Sequence, residues 1–233
     1  MHTRITLITI LLASVLTSCN LASPQGEPTA IQSPTPSLEF AQPTTIQPIA
    51  PTPPVVVCPV ASSTPLTPAQ AVLDQAFAVV VAIKNKDMAA LSAYVDPQRG
   101  LRFSPYAAVT DENLVFTVDK IPGLFDDPSP YTWGAYSGSG ESIDLSFADY
   151  YQQFIYDEDF AAAPQMALNH RLGVSTSMDN SAEYYPGSMI VEFYFPGFDP
   201  QFEGMDWRSL RLVFIQGKDT WYLVGIIHDQ WTT

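Results

Sequence analysis

His228-Asp229 is the pair of residue types in this chain best suited to moving a proton, and it sits inside an apolar strand pattern. An imidazole changes charge near neutral pH, so a carboxylate beside it can tune it as a general base. Neighbours on a strand point to opposite faces, so His228 and Asp229 cannot partner each other directly. Alternation gives His228 the company of Tyr222, Val224 and Ile226. The tuning carboxylate must then come from elsewhere, with Asp206 as the candidate; otherwise His228 is a hydrogen-bonded structural residue near a strand end. Asp206-Trp207-Arg208 combines a carboxylate, a flat ring and a guanidinium at a strand entry. That mixture can bind a sugar or a carboxylated ligand, which makes Trp207, Arg208 and the strand residue Tyr222 the candidate binding set. The alternative is a packing tryptophan flanked by an ion pair.

Oxygen donors gather at Asp157-Glu158-Asp159 and at Asp126-Asp127. Both suit calcium, yet neither has the spaced ligands and glycine of an EF-hand loop, so solvated acidic turns are the competing reading. His170 lies beside Arg171 in a loop-like stretch and could join His228 at a metal only through a contact the sequence does not reveal. No Gly-rich phosphate loop, HExxH, GxSxG or CxxC pattern occurs, and no cofactor or metal site is expected. The chain has two cysteines, Cys19 and Cys58. A thiolate zinc site is therefore not expected. Cys58 is either an idle thiol or a link between chains.

Charge narrows the partners. With 24 acidic and 10 basic side chains the formal net charge is −14, which argues against nucleic acid, whose phosphates need clustered lysine and arginine. It argues equally against direct docking of the domain on anionic lipid. The apolar run Ile5 to Leu16 follows Arg4 and is too short for a permanent bilayer span, but it suits a signal-peptide core. Leu16-Thr17-Ser18-Cys19 closes that run and resembles the lipobox of bacterial lipoproteins. The resemblance implies cleavage before Cys19, diacylation of its thiol with chains such as palmitate, and acylation of the new amino group. Each buried methylene adds about 0.8 kcal/mol of membrane affinity, so several acyl chains hold firmly. The expected address is the extracytoplasmic side of a bacterial membrane, with the lipid as the sole membrane contact.

Residues 1–18 are thus the leader and 19–67 a lipidated cysteine followed by a Pro/Thr/Ser-rich disordered tether, whose prolines favour semi-stiff extended segments. Its reach is roughly 40 Å as a coil and about 150 Å fully extended. Residues 68–233 remain, enough for one domain with its own core.

The elements that must position these residues can be read in order. Thr67-Pro68-Ala69-Gln70 supplies an N-cap, a first-turn proline and a capping-box glutamine. Val72, Ala76, Val79, Val80 and Ile83 then recur at helical spacing. Asp87 caps a second, shorter helix that turns Met88, Leu91 and Val95 inward until Asp96-Pro97 ends it. Leu101 to Ser104 and Leu114 to Val118 read as strands, and Asp126 to Gly140 as a long ordered loop or irregular hairpin. Ser146 and Asp149 form a capping box before the aromatic stripe Phe147, Tyr150, Tyr151, Phe154 and Ile155. Ser188 to Phe195, Leu210 to Gln216 and Thr220 to Asp229 are the clearest strands, the last two joined by Gly217-Lys218-Asp219. Helices followed by an antiparallel sheet indicate the α+β class, with two N-terminal helices on a curved antiparallel sheet.

The opening helices around Lys86-Asp87-Met88-Ala89-Ala90-Leu91 and the final Trp221-Tyr222-Leu223-Val224-Gly225-Ile226 strand resemble the NTF2-like (cystatin-like) cone-shaped roll, here with insertions. Phe103-Ser104-Pro105-Tyr106, Tyr131-Thr132-Trp133-Gly134, Met205 to Arg211 and Trp221 to Trp231 are similar to a bacterial secreted or lipoprotein domain, a resemblance that brings no activity with it. The leading expectation is a non-catalytic tethered module that binds a small ligand, glycan or envelope protein. The alternatives are an NTF2-like enzyme using His228 and Asp206 in the cone, and a calcium-dependent adhesion module.

Overall fold

A computed structural model describes residues 66–174 and 177–232 of the chain. The leader, Cys19, Cys58 and the tether up to residue 65 lie outside the described residues. The chain divides into two units, Met1–Pro59 and Val60–Thr233, and the second holds every described residue. Helix α1 (Pro68–Lys84) begins at its expected cap, where the Thr67 hydroxyl accepts from the Gln70 amide at 3.2 Å. Its inward stripe Val72, Ala76, Val79, Val80 and Ile83 is fully buried. Asp87 caps α2 (Met88–Ser92) by accepting from the Ala90 amide at 2.9 Å. This helix ends before Val95, which instead makes a bridge beside Leu223.

Eight strands follow among the described residues. β1 (Leu101–Ser104), β2 (Val115–Phe116), β5 (Gln165–Leu168), β6 (Met189–Phe195), β7 (Arg208–Gln216) and β8 (Trp221–Gln230) form one sheet in the order β2-β1-β8-β7-β6-β5. β3 (Tyr131–Ala135) and β4 (Ser142–Leu145) form a separate hairpin with a register shift between Thr132 and Ala135. The irregular hairpin expected over Asp126 to Gly140 thus extends to Leu145, and a 3-10 turn, Ile121–Asp126, leads into it. The six-stranded sheet departs from a purely antiparallel one, because β1 runs parallel to β8 with Phe103 beside Ile226. A parallel pair needs a long crossover, and here everything between the two strands supplies it. β5 escaped the sequence pattern because it is an edge strand whose Gln165 and Met166 face solvent.

Leu210, Leu212, Phe214, Leu223 and Ile226 share one apolar core with the buried residues of α1, α2 and α3 (Phe147–Phe154). Trp133 fills its centre, stacked on Tyr150 with ring centroids 3.8 Å apart, and its indole N–H donates to the Leu145 carbonyl at 2.9 Å. The opposite face of the sheet carries a smaller cluster of Val213, Val224 and Ile227 with Val109 and Tyr185. The segment between β5 and β6, which includes the short helix α4 (Ser181–Tyr184), supplies Tyr185 to this second face. These are the helix face and the loop face. A bulge decides which residues each receives: Val213 pairs with Gly225 and Phe214 with Leu223, leaving Val224 as the extra residue. Beyond the bulge the alternation inverts. Tyr222 and Val224 therefore lie on the loop face, opposite to His228 and Ile226, which corrects the face shared by strict alternation. Among the described residues no helix is long and apolar enough to cross a membrane.

Candidate binding site

The structure does not gather the sequence-derived candidates at one place. His228 is 0% exposed, on the helix face, with its ring edge-on to Phe154. Its carboxylate neighbour is Asp157, in the turn after α3, whose Oδ2 lies 3.1 Å from Nε2. The same oxygen accepts from Arg208 Nε at 3.0 Å. Asp206 is engaged elsewhere, accepting from the amides of Phe198 and Asp199, and those bonds hold its carboxyl below the ordinary value. The His228–Asp206 pairing is thus replaced by His228–Asp157–Arg208, because the turn after α3 comes closer to the end of β8 than the loop before β7 does.

Asp157 and Arg208 line an open polar groove of about 590 Å³ with Gln152, Gln153 and Gln230, while His228 lies sealed beneath. Deeper in the helix face, the hollow bounded by Ile83, Phe103, Phe147 and Ile226 has no room for a water molecule. Trp207 is 2% exposed, and its indole N–H donates to the Val174 carbonyl at 3.2 Å. Gly173 covers it so closely that a Cβ there would lie 2.5 Å from the ring. Trp207 is therefore a buried packing residue and offers no free face for a sugar. Tyr222 is half-buried and packs over Gly217 in the turn before it.

The acidic runs are used locally. Asp159 accepts from Lys84 at 2.7 Å and Tyr156 at 2.6 Å, and Asp127 from the Tyr131 hydroxyl and the Ser129 amide, which brings its carboxyl down to about 2. Among the described residues no three His, Cys, Asp or Glu side chains are grouped so as to hold a metal ion. His170 lies on the loop-face side, away from His228.

The loop face holds the more unusual chemistry. Glu192, Ser209, Arg211 and Asp229, on β6, β7 and β8, are each at most 2% exposed. Glu192 accepts from the Ser209 hydroxyl at 2.6 Å and from the Leu172 amide at 2.6 Å. Arg211 donates from Nη1 to Asp179 at 2.7 Å, and Arg171 donates to Asp229 through Nε and Nη2 at 3.0 and 2.7 Å. Nη2 of Arg211 also lies 3.6 Å from Asp229, but neither it nor Nε makes a hydrogen bond. Burial pushes Asp229 above the ordinary carboxylate value, against the pull of Arg211 and Arg171. Burial works on Asp179 in the same direction, but the Arg211 hydrogen bond and charge together with Ser181 hold it below that value.

Two crevices open onto this face and meet at Tyr185. The smaller, about 220 Å³, is lined by Asn169, His170, Arg171, Asp179, Ser188 and Arg211, among others. The larger, about 430 Å³, is lined by Arg99, Arg102, Val115, Tyr184, Tyr185, Pro186, Ile215 and Val224. Arg102 donates to the carbonyls of Thr110 and Asn113 and lies over the Tyr184 ring at 5.3 Å. The Tyr185 hydroxyl is buried and donates to no protein acceptor, and burial pushes it up to about 12 against the charge and hydrogen-bonding pull of the nearby Arg102. Apart from His170, sequence reasoning singled out none of these residues as site candidates. A usable signal existed in Leu210-Arg211-Leu212 and Val191-Glu192-Phe193, where a charge interrupts an apolar strand and the two interruptions fall directly opposite each other.

No family model and no curated protein matches the chain. A solved structure from Xanthomonas campestris, described as a calcium/calmodulin dependent protein kinase II association domain, is similar to it at 11% identity and a TM-score of 0.29. The similarity covers 71% of this chain and 85% of that one.

Proposed function

We propose that this is a lipid-anchored protein of the extracytoplasmic face of a bacterial membrane, whose NTF2-like domain binds a small ligand on its loop face without transforming it. The observation that carries the reading is the placement of cationic side chains. The described residues of this acidic chain include five arginines, and Arg99, Arg102, Arg171 and Arg211 line the two crevices that meet at Tyr185. A concave site with a few convergent polar groups is the usual form of a ligand pocket. Unpartnered donors on Arg211 and Tyr185 add to this, because a buried donor without a partner costs about 1 to 3 kcal/mol and gains on meeting an acceptor. The NTF2-like assignment is supported by the order of elements, opening helices followed by an antiparallel-rich sheet whose helix face they share. The sealed ring of His228 and the packed helix face weigh against acid–base chemistry inside a cone.

A fragment screen by NMR on the unit Val60–Thr233 tests the reading. That unit contains both apolar clusters and so carries its own core. Hits that shift the Tyr185, Arg102 or Arg211 side-chain resonances are expected. Hits confined to the groove at Asp157 and Arg208, or none at all, would overturn the reading.

A further inference from the structure

The two crevices differ in how their charge is balanced, and that difference selects a ligand. In the smaller one Arg171 faces Asp229 and Arg211 faces Asp179, with Glu192 buried alongside. Its cations are matched before any ligand arrives. The larger crevice has two guanidinium groups and no carboxylate in its lining. Neither Arg99 nor Arg102 joins an ion pair among the described residues. The carboxylates of Asp111 and Asp96 instead accept from the Tyr184 hydroxyl and from the amides of Gln98 and Arg99.

Val115, Pro186, Ile215 and Val224 give the lining an apolar part. Val115, Ile215 and Val224 lie on the loop face, and the register places Arg102 beside Val115 on one side and Gly225 on the other. A cationic end and a hydrocarbon floor thus share one cavity. The Tyr185 hydroxyl adds a buried donor whose proton is not spent on any protein acceptor. A carboxylate placed there would gain charge-assisted hydrogen bonds, and its body would leave water against the valines and isoleucine.

Resting on the loop-face reading above, we infer that the larger crevice binds an amphiphilic monocarboxylate, with its carboxylate at Arg99, Arg102 and Tyr185 and a short hydrocarbon body on the apolar floor. The smaller crevice, with its charges already matched, does not take the anion.

The test titrates the unit Val60–Thr233 with octanoate, octanamide and acetate, reading the Arg102 and Tyr185 side-chain resonances, with octanoate kept below its micelle concentration. Octanoate is expected to shift both saturably, and octanamide and acetate to bind at least about tenfold more weakly for want of the charge or the hydrocarbon. Arg99→Gln, at an exposed site, and Tyr185→Phe, nearly isosteric, should each weaken octanoate by about fivefold without lowering the melting temperature. Octanamide binding as well as octanoate would overturn the anionic class while leaving a loop-face pocket in place. Octanoate binding untouched by both variants would overturn the location. If no probe shifts either side chain, and the fragment screen also leaves this face silent, the loop-face reading itself fails.

Discussion

Arg211 illustrates what a single buried charge demands. Taking a guanidinium out of water costs several kcal/mol unless carboxylates and hydrogen bonds replace the lost solvent. Asp179 at 2.7 Å and Asp229 at 3.6 Å supply the charge, and the Ser181 hydroxyl accepts from Nη1 at 3.3 Å. Removing one partner leaves the arginine under-compensated, so Asp179→Asn should cost about 2 to 3 kcal/mol near neutral pH. The pH dependence has a definite sign. The Asp179 carboxyl is held below its ordinary value of 3.8, so its contribution is present above that value and is lost as pH falls through the lower, folded-state value. The gap in melting temperature between wild type and Asp179→Asn should therefore close on acidification below about pH 3.8; a gap that stays constant would show that the pair is not the source. Asp229 acts in the opposite sense. Its raised value means that acidification relieves a penalty rather than removing a support.

At the scale of elements, capping and the β8 bulge decide which side chains meet. Ser146 accepts from the Asp149 amide at 3.2 Å and donates to the Asp149 carboxylate at 2.6 Å, so α3 starts at a defined residue and brings Tyr150 and Phe154 onto Trp133 and His228. Ser146→Ala should lower unfolding free energy by about 1 kcal/mol in denaturant titration, with an unchanged m-value. A loss several times larger would mean that the cap also fixes the aromatic packing. In β8 the extra residue Val224 lets Leu223 and Ile226 both enter the helix-face core, while Tyr222 and Val224 line or flank the loop face. The apolar floor of the larger crevice depends on that one inserted residue.

For the whole molecule, the acidic excess and the arginine-lined face are complementary features. A net charge of −14 favours solubility and disfavours anionic surfaces, while the loop face keeps a local attraction for a small anion. A long proline-rich tether would let such a face sample the space above a membrane. The proposed anchor makes its own prediction: cells expressing the chain should incorporate labelled palmitate into it, and Cys19→Ser should abolish the label. Incorporation that survives the substitution would place the lipid elsewhere or refute the lipobox.

Local chemistry was legible in the sequence wherever a short-range rule governs it. Caps at Thr67, Asp87 and Ser146, the buried stripe of α1 and the closing β7–β8 hairpin all follow from hydrogen-bonding groups and periodicities within a few residues. Face assignments failed at Tyr222 and Val224, because a bulge breaks the alternation without a strong sequence mark. Asp157 could not be matched to His228, nor Asp179 to Arg211, because each pair joins segments 71 and 32 residues apart. Sequence by itself determined the α+β class, the starts of α1, α2 and α3 and the acidic excess, since these depend on composition and near neighbours. Tertiary structure alone decided that His228 is sealed and that four arginines line two crevices sharing Tyr185, since pairing strands across the chain sets which charges share a cavity.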